Sequence, residues 1–194
     1  GELWRQMKLP MAALYDDLLM FAGFATVGDV MDLTGENRIL VREGLKRLRM
    51  TTHPGMSALI EVNELARDTL SAFHIGFVLG PCINASGRLA TAKRALELLD
   101  TEEQDLALER AAELKHLNDE RKELTEHGLT QAVYLMEHIS LTDVRVLVVY
   151  LPDCHESLAG IIAGRVREAY NKPSFVLTRG EDCVKGSGRS IESY

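Results

Sequence analysis

None of the apolar runs in this chain of 194 residues is long enough to cross a bilayer. One of the longest, Val144 to Leu151, already contains Arg145 and falls far short of the roughly 20 residues a span requires. No basic-then-apolar leader opens the chain either, so a cytoplasmic protein with no membrane partner is expected. Cysteine is scarce: Cys82, Cys154 and Cys183 are odd in number, widely spaced and without a CxxC or CxxH pair. That excludes a disulfide framework and a cysteine-built zinc site, and the three are expected as reduced thiols. Basic charge is also lacking. A net charge of −7 argues against a protein that coats nucleic acid through a broad positive surface. No internal repeat or low-complexity segment is present.

What the chain has is apolar content, 46% of its residues, ample for one large core or two small ones. From Pro10 to Phe24, helical spacing puts Leu14, Leu18, Leu19 and Phe21 on one face, with Asp16 and Asp17 opposite. Gly28 is expected to break this helix, and Thr34-Gly35-Glu36-Asn37 reads as the start of another over Asn37–Met50. His53-Pro54-Gly55 reads as a turn, followed by helices over Met56–Leu65, Thr69–Leu79 and Leu89–Leu99, with Gly80-Pro81 as a breaker. From Asp100 to about Ser140 one periodic stretch predicts a long helix. Its stripe of Leu106, Leu114, Leu117, Leu124 and Leu135 among many charges suits a helix joining two lobes, with Gly128 a candidate bend. The period then changes. Val144–Leu151 predicts a strand buried on both faces, Glu156–Tyr170 a helix, and Pro173–Thr178 and Asp182–Lys185 short strands, giving a separate α/β lobe.

Three segments could carry chemistry. In Ala25-Thr26-Val27-Gly28-Asp29-Val30-Met31-Asp32-Leu33, Asp29 stands at the end of an apolar segment. A buried carboxylate there would need a cation, a metal or backbone donors, whereas a cap aspartate would not, and spacing does not decide between them. In Gly80-Pro81-Cys82-Ile83-Asn84-Ala85-Ser86-Gly87-Arg88-Leu89, Asn84 and Ser86 could bond phosphate or backbone. Arg88 stands where a helix is expected to begin, with Lys93 and Arg94 a turn later; a plain connecting loop would look the same. The third segment pairs the loop Cys154-His155-Glu156-Ser157-Leu158-Ala159-Gly160 with Gly186-Ser187-Gly188-Arg189-Ser190. Glycines admit backbone N–H groups to an oxyanion, a hydroxyl donates and a guanidinium forks onto two oxygens, so Ser187, Gly188, Arg189 and Ser190 suit a nucleotide phosphate. His155 could donate to phosphate or serve as a structural cap, and Gly160 with Gly164 would let the helix approach the sheet. Arg88, Lys93, Arg94, Arg165, Lys185 and Arg189 form the candidate basic set, while the acidic excess lies between Asp100 and Glu126. A two-lobed protein of this kind is expected to bind its ligand in a cleft.

The series ATVGDVMDLTGENR, His53-Pro54-Gly55-Met56, INASGRL, CHESLAGIIAGRV and KGSGRSI, in this order, resembles the RecJ-type single-strand-specific exonucleases of the DHH phosphoesterase superfamily. The resemblance implies an α/β protein. Residues 1–99 would be the helical C-terminal part of a DHH catalytic lobe, 100–140 a connecting helix and 141–194 the start of a DHH-associated lobe. It implies 5′→3′ hydrolysis of single-stranded DNA with Mn²⁺ or Mg²⁺, in repair or recombination, with a helicase or single-strand-binding protein as a possible partner. Asp29 would be a catalytic metal ligand, Asn84 and Arg88 phosphate contacts, and His155, Ser187, Gly188, Arg189 and Ser190 strand-gripping groups. Cys82 stands where the family commonly has arginine, which puts one phosphate contact in question. The DxD and Asp-His-His motifs of the family do not occur in the chain, which is therefore expected to be a fragment without turnover of its own. Two alternatives remain open at this stage: a sister phosphodiesterase acting on oligoribonucleotides or cyclic dinucleotides, and a non-catalytic single-strand-binding scaffold.

Overall fold

The computed structural model of the chain describes residues 18–137 and 139–192. They divide into two compact units, one reaching to Asn118 and the other starting at Asp119. The first is helical: α1 (Leu19–Gly28), α2 (Gly35–Met50), α3 (Pro54–Val62), a 3₁₀ turn (Arg67–Thr69), α4 (Ala72–His74), a π turn (Ile75–Leu79), α5 (Gly80–Leu89) and α6 (Lys93–Asp100). Helix α7 (Gln104–Glu137) belongs to both units. The second continues with β1 (Leu147–Tyr150), a 3₁₀ turn (Glu156–Leu158), α8 (Ala159–Tyr170), β2 (Ser174–Arg179) and β3 (Val184–Arg189). The α/β class expected from the sequence is therefore the one observed.

Helix α1 runs to Gly28, four residues past the expected end at Phe24, and Leu14, Asp16 and Asp17 lie outside the described residues. Gly28 is not what stops it. The Met31 N–H bonds to the Thr26 carbonyl and the Val30 N–H to the Val27 carbonyl, a Schellman ending in which Val30 holds the left-handed position at φ 55°. A β-branched residue is strained there, where glycine would be at ease. Val30→Gly is expected to raise the stability of this unit by about 1 kcal/mol, read as a higher urea midpoint at unchanged slope; a lower midpoint would reject the assignment. Gly23 of α1 and Gly44 of α2 face each other, and a Cβ on Gly23 would stand 2.8 Å from the Leu40 carbonyl oxygen. The two helices cross in backbone contact for that reason. His53-Pro54-Gly55 opens a helix rather than making a free turn: the His53 Nδ1 accepts from the Met56 N–H at 3.3 Å, and Pro54 fills the first position of α3, where no N–H is needed.

Gly80-Pro81 does not break the chain. Residues 72–89 form one helical stretch, and its π turn absorbs the proline. Pro81 has no N–H, and in an ordinary α-turn its ring would strike the Phe77 carbonyl; the wider turn removes that clash. Gly80 permits it, since a Cβ there would lie 2.7 Å from the Ile75 carbonyl oxygen. Ile75 and Leu79 enter a core with Met20, Leu48, Met56 and Leu98.

Helix α7 is uninterrupted, and its inward stripe includes only some of the expected leucines, Leu114 in the core and Leu117 packed against it. Ala107, Ala111 and Leu114 enter the first core, Ala132 and Met136 the second, while Leu124 and Leu135 are exposed. Small residues line the stripe because neighbouring elements approach closely. Gly128 is one of them: a Cβ there would stand 2.5 Å from Ile162 Cδ1 of α8, so this glycine admits a neighbour rather than marking a bend.

The sheet has the order β1-β2-β3, β1 parallel to β2 and β2 antiparallel to β3. The α8 crossover between β1 and β2 makes the parallel pair possible. Strand β1 is shorter than expected and buried on one face only: Leu147 and Val149 enter the core with Ile162, Val166 and Val176, whereas Val148 and Tyr150 are exposed. No helix among the described residues is long and apolar enough to cross a membrane.

Candidate nucleic-acid interface

In the second unit, Gly186-Ser187-Gly188-Arg189 is not a turn. It is most of β3, paired so that Lys185 lies opposite Thr178, Ser187 opposite Val176 and Arg189 opposite Ser174. Alternation therefore sends Lys185, Ser187 and Arg189 to the face that β2 turns toward α8, and Gly186 and Gly188 to the other. The glycines also have a different role from the expected one. A Cβ on Gly186 would stand 2.5 Å from Leu177 Cδ2, and one on Gly188 2.5 Å from the Phe175 ring, so they make room for large cross-strand neighbours.

On the α8 side the expected convergence is present. The Arg189 guanidinium donates from Nη1 to Ser187 Oγ at 2.9 Å and to the Gly188 carbonyl at 2.7 Å. Both side chains lie against Gly160, where a Cβ would be 2.8 Å from Arg189 Nη2 and 3.0 Å from Ser187 Oγ. Gly160 is in the first turn of α8, so a guanidinium, a hydroxyl and the positive end of a helix dipole meet at one place. Gly164 has open space around it and contributes nothing to this packing. Ser190 donates to the adjacent Ile191 carbonyl at 3.2 Å.

His155 caps the 3₁₀ turn that leads into α8. Its Nδ1 accepts from the Ser157 N–H at 3.3 Å and lies 2.7 Å from Ser157 Oγ. The structural reading thus holds for Nδ1 and leaves Nε2 of an exposed ring as the atom that could meet a ligand. Thr178 of β2 holds the preceding loop by donating to the Cys154 carbonyl. Glu156 pairs with Lys185, an ion pair sequence reasoning missed because 29 residues separate the two. The hydrogen bond from Lys185 holds the Glu156 carboxyl below the ordinary carboxylate range and lifts the lysine above its own. That lowered value means the pair is complete at neutral pH and is lost as pH falls through the Glu156 titration; both groups are exposed, so it adds little to stability.

In the first unit, Asn84 and Arg88 are exposed and four residues apart on α5, hence on one helical face. Arg88 is in the last turn of its helix, not at the start of a new one as expected. Ser86 is fully buried and donates to the Ile83 carbonyl at 2.8 Å, so it is not a phosphate contact. Cys82 is fully buried, next to Asn63 and Asn118, and a side chain at this position points away from the Asn84–Arg88 face. Of the other expected cations, Lys93 pairs with Glu97, Arg94 with Glu113 and Arg165 with Glu126. A charge count treats those as available; the fold has neutralised them.

Asp29 caps the C-terminus of α1, is exposed, and donates its N–H to the Ala25 carbonyl at 2.9 Å. The buried carboxylate considered from the sequence is therefore not observed. Among the described residues no three His, Cys, Asp or Glu side chains converge as a metal site.

Comparison with known proteins follows the same lines. No family model matches the chain. The single-stranded-DNA-specific exonuclease RecJ of Salmonella typhimurium is 35% identical over 181 residues, covering 91% of this chain and 31% of that protein. RecJ of Escherichia coli is 35% identical over 193 residues, 97% of this chain and 33% of that protein. The chain thus spans about a third of the length of these relatives. The crystal structure of Thermus thermophilus RecJ in complex with Mg²⁺ superimposes with a TM-score of 0.81 at 31% identity, covering 97% of this chain and 28% of that one. Over nearly its whole length this chain is therefore similar, in sequence and in fold, to a part of the RecJ single-stranded-DNA-specific exonucleases.

Proposed function

We propose that the chain is part of a metal-dependent exonuclease that hydrolyses phosphodiester bonds of single-stranded DNA in the 5′→3′ direction, and that its own residues contribute grip on the strand. The meeting of Arg189, Ser187 and Gly160 at the start of α8 carries this reading. A planar fork, a hydroxyl and a helix N-terminus match the oxygens of a phosphodiester, and they ask nothing of the base attached to it. Arg88 and Asn84 would hold further phosphates from the first unit, and His155 would donate from Nε2. The relatives' names carry the substrate class, single-stranded DNA, and their metal-bound structures carry Mg²⁺ or Mn²⁺. A helicase or single-strand-binding protein would fit such an enzyme as a partner.

Two divalent ions, when bound, would activate water and steady the leaving oxygen. The described residues do not form a site for them. Asp29 is one candidate ligand, exposed and without convergent carboxylates or imidazoles, so no hydrolytic step is assigned to residues of this chain. The 194-residue chain is accordingly expected to bind a single-stranded oligonucleotide weakly and to leave it uncut in Mn²⁺ or Mg²⁺, while a full-length protein containing it degrades the strand only with divalent metal. Robust cutting by the chain alone, or full-length activity unchanged in EDTA, would overturn the reading.

A further inference from the structure

We infer that Phe73 and Phe77 form a stacking platform for nucleobases, so that the first unit holds a single strand by its bases as well as by its phosphates; this rests on the single-strand reading above. The two rings stack with centroids 4.9 Å apart and planes 27° apart, yet they are 61% and 70% exposed. A lone exposed apolar side chain calls for no explanation. A stacked pair facing water is different, because it presents a flat π surface already set in the geometry that a third ring can extend. Every base has such a face, so the contact is indifferent to sequence.

The course of the helix gives the second argument. Phe73, Phe77, Pro81, Asn84 and Arg88 follow one another at spacings of four, four, three and four residues, which puts them along one side of the stretch formed by α4, the π turn and α5. Asn84 and Arg88 are exposed at one end of this stripe and the aromatic pair at the other, with Arg88 about 16 Å along the axis from Phe77. Ile75 and Leu79, both buried, anchor the wide turn and keep Phe77 outward. A guanidinium for phosphate in line with ring faces for bases is usable by a strand whose bases are unpaired. Duplex bases, already stacked on each other and turned inward, cannot reach it. The stripe would thus favour single strands without reading their sequence.

The test measures binding of the 194-residue chain to a fluorescent oligothymidylate and to an abasic oligonucleotide of equal length. Phe73→Ala/Phe77→Ala should weaken the oligothymidylate complex by about fivefold to a hundredfold and leave the abasic complex unchanged. Phe77→Tyr should retain affinity, and an indole introduced by Phe77→Trp should be quenched by oligothymidylate and not by the abasic strand, a readout that does not depend on the double variant folding. If the aromatic variants bind oligothymidylate like the parent and the indole is not quenched, while Arg88→Ala and Arg189→Ala lose affinity, the platform is wrong and the strand reading stands. If the parent binds neither oligonucleotide, both fall. A changed sedimentation coefficient for the double variant with unaltered strand affinity would assign the rings to a contact between protein copies and overturn the proposal.

Discussion

Arg189→Ala is expected to weaken binding of a single-stranded oligonucleotide by about tenfold to a hundredfold, the range of a charge-assisted hydrogen bond, and to reduce the slope of log affinity against log salt by about one. The reason is positional. Arg189 is spent on neutral acceptors, Ser187 Oγ and the Gly188 carbonyl, at the place where Gly160 opens space beside the start of α8. Lys185, two residues earlier on the same face of β3, is instead held by Glu156. Glu156→Gln should therefore act in the opposite sense, freeing an ammonium and steepening the salt dependence. The same salt slope for parent, Arg189→Ala and Glu156→Gln would show that phosphate does not meet this face of β3.

The largest effect on stability is expected from Gly55→Ala, a loss of about 3 kcal/mol in the unit that contains α1 to α6. Gly55 follows Pro54 in the first turn of α3, and a Cβ there would collide with the Leu98 carbonyl oxygen near the end of α6. Backbone cannot swing aside as a side chain can, and Leu98 is fully buried, so the helices would have to separate. Urea denaturation should show the midpoint falling at constant slope. A loss below 1 kcal/mol would mean that α3 and α6 can slide apart without cost.

The sequence displayed its periodic elements well. A 34-residue helix was legible because nothing between Gln104 and Glu137 interrupts the helical period, and the change to a β-branched run announced β1. The order of motifs likewise announced the similarity to RecJ exonucleases, since five short segments in one order rarely coincide. Local signals misled where a neighbour decided the outcome. Gly80-Pro81 reads as a stop, yet buried Ile75 and Leu79 hold the stretch helical and a π turn absorbs the ring. The glycines of β3 read as phosphate-cradling, yet Leu177 and Phe175 occupy the space they leave.

What the residues determined alone was the set of groups at hand, cations, hydroxyls and glycines, and the division into a helical unit and an α/β unit. What only the tertiary structure decided was which of those groups are available. Arg94, Arg165 and Lys185 are matched by carboxylates distant in sequence, Ser86 is buried, Arg189 is set against Gly160, and Phe73 and Phe77 are left facing water. Side-chain identity is written residue by residue, but pairing and exposure depend on which chain segments meet, and that is settled by packing.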